Sequence, residues 1–204
     1  MEIVLASGSP RRREILKKAG VTFRVIPSEA TEELTESELA DPSKAARTLA
    51  DRKAGSVVQL LLAVPRPLNQ PVAVIGADTM VVKDGQIFGK PRSLEEGTHM
   101  LQQLQGVTHQ VITGVSVWML GPDEEGHVSI ARRAFSETSE VTFKPLSSQE
   151  IADYLACGES FDKAGAYAIQ GEGAKLVAGY EGDYDNIVGL PVATLLHLVP
   201  ALAE

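Results

Sequence analysis

The apolar run Ile3 to Ala6 passes directly into Ser7-Gly8-Ser9-Pro10 and then into Arg11-Arg12-Arg13. The order reads as a strand, a small-residue turn and the first turn of a helix, with Ser9 suited to the N-cap and Pro10 to the first helical position. Three cations at a helix start face the positive end of the macrodipole. Such an arrangement is unfavourable in isolation and is relieved by an anion bound nearby. A lone arginine triplet can also be a solvated basic patch. Its position decides, because the first strand-to-helix turn is where an open α/β sheet places its ligands.

The rest of the chain alternates strand and helix signals. A second strand is expected at Thr22 to Ile26, an acidic loop at Ser28 to Glu38, and a long helix capped by Asp41-Pro42 and running to about Ala63. The stretch Pro65 to Pro71 breaks that helix and reads as an exposed loop. Val72 to Ile75 is a short apolar strand that ends in Gly76-Ala77-Asp78-Thr79. Lys83-Asp84-Gly85 signals a hairpin turn between Met80 to Val82 and Gln86 to Phe88. Ser93 with Glu96 and Ser147 with Glu150 form capping boxes that open helices stopping near Gly106 and Gly158. Between them Val111 to Leu120 and Ala134 to Phe143 are β-rich arms around a polar turn, and a last apolar helix begins at Pro191. The expected fold is α/β: a twisted mixed sheet flanked by helices, in two lobes with a central cleft, forming a single domain over residues 1–204.

Composition restricts the partners. At 204 residues, 44% hydrophobic and 23% charged, the chain is an ordinary globular protein, and no apolar run reaches the length of a membrane span. The net charge of -8 argues against a nucleic-acid polymer and leaves local positive spots at Arg11 to Arg13, Lys53, and Lys90 with Arg92. Local positive charge in an acidic protein suits a small phosphorylated ligand. Met1-Glu2-Ile3-Val4 carries no signal-peptide pattern, and one cysteine, Cys157, allows no internal disulfide. A cytoplasmic location is expected, with Cys157 a small buried residue near a helix end.

Lys53 is anomalous on pattern alone. At 100° per residue it falls on the arc shared by Ala46, Leu49, Ala50, Val57 and Leu61, while Arg47, Asp51, Arg52 and Gln59 lie off it. A lysine on a core-facing stripe either snorkels to the edge or meets an anion. Asp78, placed at a strand end, can bind a divalent cation, take a proton from water, or simply cap the next turn. Thr79 can be an ordinary strand residue, and Lys90, between Gly89 and Pro91, an exposed surface lysine. His99, His109, His127 and His197 share no metal-ligand spacing and read as structural. Neither a nucleophile elbow nor a Walker loop is present.

Taken together, Ser7-Gly8-Ser9-Pro10-Arg11-Arg12, Gly76-Ala77-Asp78-Thr79, Gly89-Lys90-Pro91, Gly106-Val107-Thr108-His109 with Thr113-Gly114, Asp162 to Tyr167 with Ile169-Gln170-Gly171, and Gly182-Asp183-Tyr184 with Val188 to Pro191 resemble the Maf family of nucleotide pyrophosphatases. The resemblance spans nearly the whole chain. It implies an architecture shared with ITP-type pyrophosphatases and hydrolysis of a nucleoside triphosphate between its α and β phosphates, with Mg²⁺, Mn²⁺ or Co²⁺. It makes Asp78 the proton acceptor and sets Ser7, Ser9, Arg11 and Arg12 around the phosphates. Lys53 and Lys90 go near the triphosphate, and Glu32 joins Asp78 at the metal, with Glu29 and Glu33 as alternatives in the same loop. The segments around Asp162 to Gln170 and Gly182 to Tyr184 are similar to the dTTP/UTP-cleaving subgroup, in which Arg12 (or Arg11), Thr79 and Gln170 are linked to base choice. Modified pyrimidine nucleotides are further possible substrates, and a homodimer is compatible with the family. An ITP-type activity and a non-catalytic nucleotide-binding regulator of cell division are the alternatives.

Overall fold

Asp41 caps the longest helix among the described residues, Pro42–Leu62, whose small and apolar positions share one face, and that helix organises the strands beside it. The computed structural model describes residues 1–63, 70–123, 125 and 127–203. The strands are β1 (Glu2–Leu5), β2 (Arg24–Val25), β3 (Val72–Lys83), β4 (Gln86–Phe88), β5 (Thr108–Pro122), β6 (Val128–Phe143) and β7 (Val177–Glu181). The α-helices are α1 (Pro10–Lys18), α2 (Glu36–Leu39), α3 (Pro42–Leu62), α4 (Leu94–Leu104), α5 (Ser148–Ala156), α6 (Tyr184–Val188) and α7 (Val192–Leu198). The hydrogen-bonded strand order is β2-β1-β3-β5-β6-β7, with β4 beside β3. The sheet is mixed: β1 runs parallel to β2 and β3, while β3–β4 and β6–β7 are antiparallel. This is the α/β class expected from the alternating pattern.

The chain forms two compact units, the first of residues 1–78, 113–137 and 189–204, the second of residues 79–112 and 138–188. In the first unit β1 pairs with β3 from Glu2↔Val72 to Leu5↔Ile75. The buried cluster Val4, Ala6, Ala54, Val57, Val58, Val72, Val74 and Leu120 joins these strands to α3. Two glycines set the separation. A Cβ on Gly76 of β3 would lie 2.2 Å from the Ala50 carbonyl oxygen, and one on Gly114 of β5 would lie 2.2 Å from the Ala46 carbonyl carbon. The backbone of α3 therefore rests on the backbones of two strands, where any side chain would intrude.

In the second unit the expected hairpin forms, with Val81↔Phe88 and Lys83↔Gln86 in register and left-handed φ at Asp84 (51°) and Gly85 (78°). Gly97 of α4 lies close to Leu155 of α5, where an added Cβ would be 3.1 Å from Leu155 Cδ2. Ser147 and Glu150 make the reciprocal capping box that their spacing predicts. At α4 only half of the box is present: Ser93 accepts from the Glu96 amide, but the Glu96 carboxylate accepts from Arg92 N at 2.7 Å instead.

Several expectations change. Val72 to Ile75 does not end the strand; beyond its last β1 partner at Ile75, β3 continues to Lys83, where Val81 to Lys83 pair with β4 in the hairpin. The acidic loop contains α2, opened by a capping box of Thr35 and Glu38. The strand expected at Thr22 to Ile26 is reduced to Arg24–Val25. Cys157 is exposed, because the buried face of α5 is Ile151, Tyr154 and Leu155 and position 157 is off it. The loop expected at Pro65 to Pro71 lies largely outside the described residues. None of the described helices is long and apolar enough to cross a membrane.

The glycine contacts generate a stability prediction. Gly76→Ala should cost about 3 kcal/mol or more, because two backbones must separate to admit one methyl group. Gly121→Ala, with nothing within 4 Å of the new carbon, should change stability by under about 0.5 kcal/mol. Urea unfolding of both variants checks this; equal effects would contradict the close-approach account.

Candidate active site

Asp78 follows Ile75, the last β3 residue paired with β1, and the Ser7 to Pro10 turn leaves β1 at the same edge. Both features stand at the carboxyl ends of the parallel strands, within the first unit. The close seating of α3 on Gly76 then brings Lys53 down onto Asp78. The Lys53 ammonium donates to Asp78 Oδ1 at 2.6 Å and to Glu32 Oε1 at 2.6 Å. Lys53 and Asp78 side chains are only 13% and 12% exposed, whereas Glu32 is 48% exposed. Of the two readings of a lysine on this stripe, the structure takes the second: it meets anions.

Glu32, rather than Glu29 or Glu33, is the acidic-loop residue that reaches Lys53. The reason is a set of tethers from the loop to one edge of α3. Ser28 Oγ and Ser56 Oγ are 2.8 Å apart, Arg52 donates to the Glu33 carbonyl, and Arg52 pairs with Glu38 at 2.7 Å. Arg52, Lys53 and Ser56 are neighbours on the helix, so the loop is laid along it in one register. Sequence reasoning missed Arg52, which read as an outward charge.

The turn from Ser7 to Pro10 is organised around Ser7. The buried Ser7 hydroxyl accepts from Ser9 N at 3.2 Å and from the Arg12 guanidinium at 3.2 Å. Ser9 has the extended backbone of an N-cap (φ −63°, ψ 120°) but makes no side-chain capping bond, so its capping role is corrected to a backbone one. Arg12 Nε also donates to the Gly189 carbonyl at 2.8 Å, a contact between residues distant in sequence that no local pattern signals. Gly189 holds φ at 130°, a value side chains rarely adopt, and so aims that carbonyl. Burial lowers the Arg12 guanidinium from its ordinary value; Asp78 opposes this, Arg11 adds to it, and Glu32 opposes it. It remains charged, as guanidinium groups do. Arg13 turns back to the Gly8 carbonyl at 3.1 Å.

The second unit carries the other expected residues. Thr79 is half-buried on β3, Lys90 is exposed just after β4, and Gln170 is half-buried immediately before the 3-10 helix Gly171–Leu176. On the far side of α3, Asp51 accepts from Ser116 Oγ at 2.7 Å, Trp118 Nε1 at 3.0 Å and Arg132 at 2.8 Å, with Arg132 over the Trp118 ring at 5.4 Å. It anchors α3 although it lies off the core-facing arc of the helix.

The donor set at Lys53 bears on a metal. No group of three or more His, Cys, Asp or Glu among the described residues is placed to hold an ion. A hard cation such as Mg²⁺ needs only one or two carboxylates when phosphate oxygens and water complete its shell. Asp78 and Glu32 supply two oxygens already bridged by a single cationic group. The pair fits such an ion.

Comparison with known proteins gives a consistent result. The family model described as Maf-like protein matches residues 2–202. A dTTP/UTP pyrophosphatase of Clostridioides difficile is 46% identical over 96% of this chain and 92% of its own length. Those of Pelotomaculum thermopropionicum and Bacillus velezensis are 43% and 42% identical, over 97% and 94% of this chain and 95% and 91% of their own. A solved nucleoside-triphosphatase / dITP/XTP pyrophosphatase from Mycobacterium abscessus aligns at 14% identity and TM-score 0.39, over 100% of this chain and 96% of its own. A likeness that low carries no weight.

The shared lysine yields a test of its electrostatics. In double-mutant cycles built from Lys53→Met, Asp78→Asn and Glu32→Gln, the Lys53–Asp78 coupling should be about 1–3 kcal/mol. The Lys53–Glu32 coupling should stay below about 1 kcal/mol, because water screens the exposed Glu32. Urea unfolding at low salt measures both; a Glu32 coupling equal to or above that of Asp78 would contradict the picture.

Proposed function

The chain belongs to the Maf family, and from that premise and the geometry of its first unit we propose that it hydrolyses dTTP and UTP to the nucleoside monophosphate and pyrophosphate. One observation carries the reading: Asp78, at the carboxyl edge of the parallel strands, shares the Lys53 ammonium with Glu32, both at 2.6 Å. Full-length relatives named dTTP/UTP pyrophosphatase support the substrate class.

Phosphoryl chemistry is limited chiefly by the negative charge that must be neutralised and oriented. Arg11 and Arg12 can grip phosphate oxygens in the planar, two-pronged way of guanidinium groups, with Ser7 and Ser9 lining the turn. Lys53 and Lys90 act as point charges toward the triphosphate. Asp78 orients a water molecule and accepts its proton as the oxygen attacks the α phosphorus. The bond from that phosphorus to the bridging oxygen breaks, and pyrophosphate leaves with the electron pair. A divalent ion, Mg²⁺, Mn²⁺ or Co²⁺, held by Asp78 and Glu32, would neutralise phosphate charge when bound. Arg12, Thr79 and Gln170 contribute to base choice. Modified pyrimidine nucleotides fall within the same chemistry, and cytoplasmic nucleotide pools are the natural source of all these substrates.

Pyrophosphate release from dTTP, UTP, CTP, ITP and 7-methyl-GTP, with Mg²⁺ or Mn²⁺, tests the assignment. dTTP and UTP should be the preferred substrates, and Asp78→Asn should lower kcat by about a hundred-fold or more while nucleotide affinity stays near wild type. Preference for ITP or 7-methyl-GTP would overturn the substrate class. Full activity in Asp78→Asn would overturn the role of the carboxylate.

A further inference from the structure

The stretch from Gly165 to Glu172 has little regular structure, yet the second unit fixes it at almost every residue. Gly165 and Ala166 both have left-handed φ, 67° and 60°. For Ala166, which is fully buried, that conformation is strained and persists only where the surroundings impose it. Gly165 N donates to the Gly89 carbonyl at 3.0 Å, and a Cβ on Gly165 would lie 2.9 Å from Val81 Cγ1.

Four side chains from elsewhere then take hold of the segment. The Tyr167 hydroxyl is 2.7 Å from His109 Nε2, and both rings meet Phe143 edge-on, with centroids 4.6 and 5.0 Å away. The Ala168 amide donates to the Tyr154 hydroxyl at 3.3 Å, while the Ala168 carbonyl lies 2.1 Å from where a Gly173 Cβ would stand. The Glu159 carboxylate accepts from the Glu172 amide at 3.2 Å and lies 2.6 Å from the Cβ position of Gly171. Burial holds His109 down to about 4, so its ring is neutral near pH 7, and burial pushes the Tyr154 and Tyr167 phenols up. The His109–Tyr167 and Tyr154–Ala168 bonds therefore join neutral groups near pH 7.

Gln170 is the residue between the Tyr154 hold on Ala168 and the Glu159 hold on Glu172. A side chain with several free torsions discriminates one base from another only when its backbone is fixed to a fraction of an ångström. Loops do not supply that on their own.

We propose that Tyr154, Glu159 and the His109–Tyr167 pair are positioning residues for base selection, acting through the backbone that presents Gln170. The proposal rests on the functional reading above, in which Gln170 takes part in choosing the pyrimidine. It gives a part to four residues that have none in the phosphate chemistry. Each tyrosine makes its hydrogen bond through one oxygen atom, so that bond can be tested by deleting the atom alone.

The experiment measures kcat and KM for dTTP and CTP in the wild type, Tyr154→Phe, Tyr167→Phe, Gln170→Ala, and Tyr154→Phe combined with Gln170→Ala, with Tm recorded for each. Both phenylalanine variants should keep kcat for dTTP within about two-fold while the dTTP-to-CTP ratio of kcat/KM falls about five-fold, mainly through KM. In the Gln170→Ala background Tyr154→Phe should lower that ratio no further. An unchanged ratio in both phenylalanine variants, alongside a reduced ratio in Gln170→Ala, would overturn the positioning role. So would a double variant whose loss equals the product of the two single losses. A wild-type ratio in Gln170→Ala would instead show that the selector reading has failed, and the proposal with it. Should Tyr154→Phe not fold, Tyr167→Phe, also combined with Gln170→Ala, gives the same discrimination.

Discussion

Backbone-to-backbone contact between α3 and the strands beneath it is the constraint on which the first unit depends. At Gly76 and Gly114 the helix lies where no Cβ can stand, with prospective clashes of 2.2 Å at both positions. A helix seated at side-chain distance would hold its residues several ångströms further from the sheet. Close seating lets Lys53 reach Asp78 within 2.6 Å although it stands on the same stripe as Leu49 and Val57. The glycines at 76 and 114 therefore govern the Lys53–Asp78 pair without touching it. Asp51, held by Ser116 and Trp118 of β5, fixes the rotation of the same helix from its other side.

The charge arrangement that results is uneven by construction. One buried cation satisfies two carboxylates, of which only Asp78 is shielded from water. Arg12 adds a second positive group, its guanidinium plane oriented by an oxygen of Ser7 and by the Gly189 carbonyl. Preorganised charge of this kind is what phosphoryl transfer asks of a protein, since reorientation during reaction would forfeit much of the stabilisation. The Arg52 tethers extend the same logic to Glu32, which sits on a loop that would otherwise be free to move.

Much of this was legible from the sequence because periodicity and turn chemistry are local signals. The Lys53 anomaly, the Asp84-Gly85 hairpin, the long α3 and the turn from Ser7 to Arg13 all follow from patterns within a few residues. Several of the failures trace to pairing between separate segments: β3 runs past Asp78 and pairs with β4 at Val81 to Lys83. The Ser9 failure is local, because the neighbouring Ser7 hydroxyl gathers the two donors and the Ser9 hydroxyl makes no cap. Glu32 could not be separated from Glu29 and Glu33, since the tethers to α3 that choose between them join residues some twenty positions apart. The 3-10 turns around Gln170 were likewise invisible, because their left-handed backbone is imposed by buried neighbours rather than by propensity.

The central claim is that this constellation directs water to the α phosphorus of a pyrimidine nucleoside triphosphate. Hydrolysis of dTTP in ¹⁸O-labelled water, followed by ³¹P NMR of the products, tests it most directly. The account predicts one labelled oxygen on the monophosphate and none on pyrophosphate. Label on pyrophosphate, or formation of the diphosphate and inorganic phosphate, would contradict it.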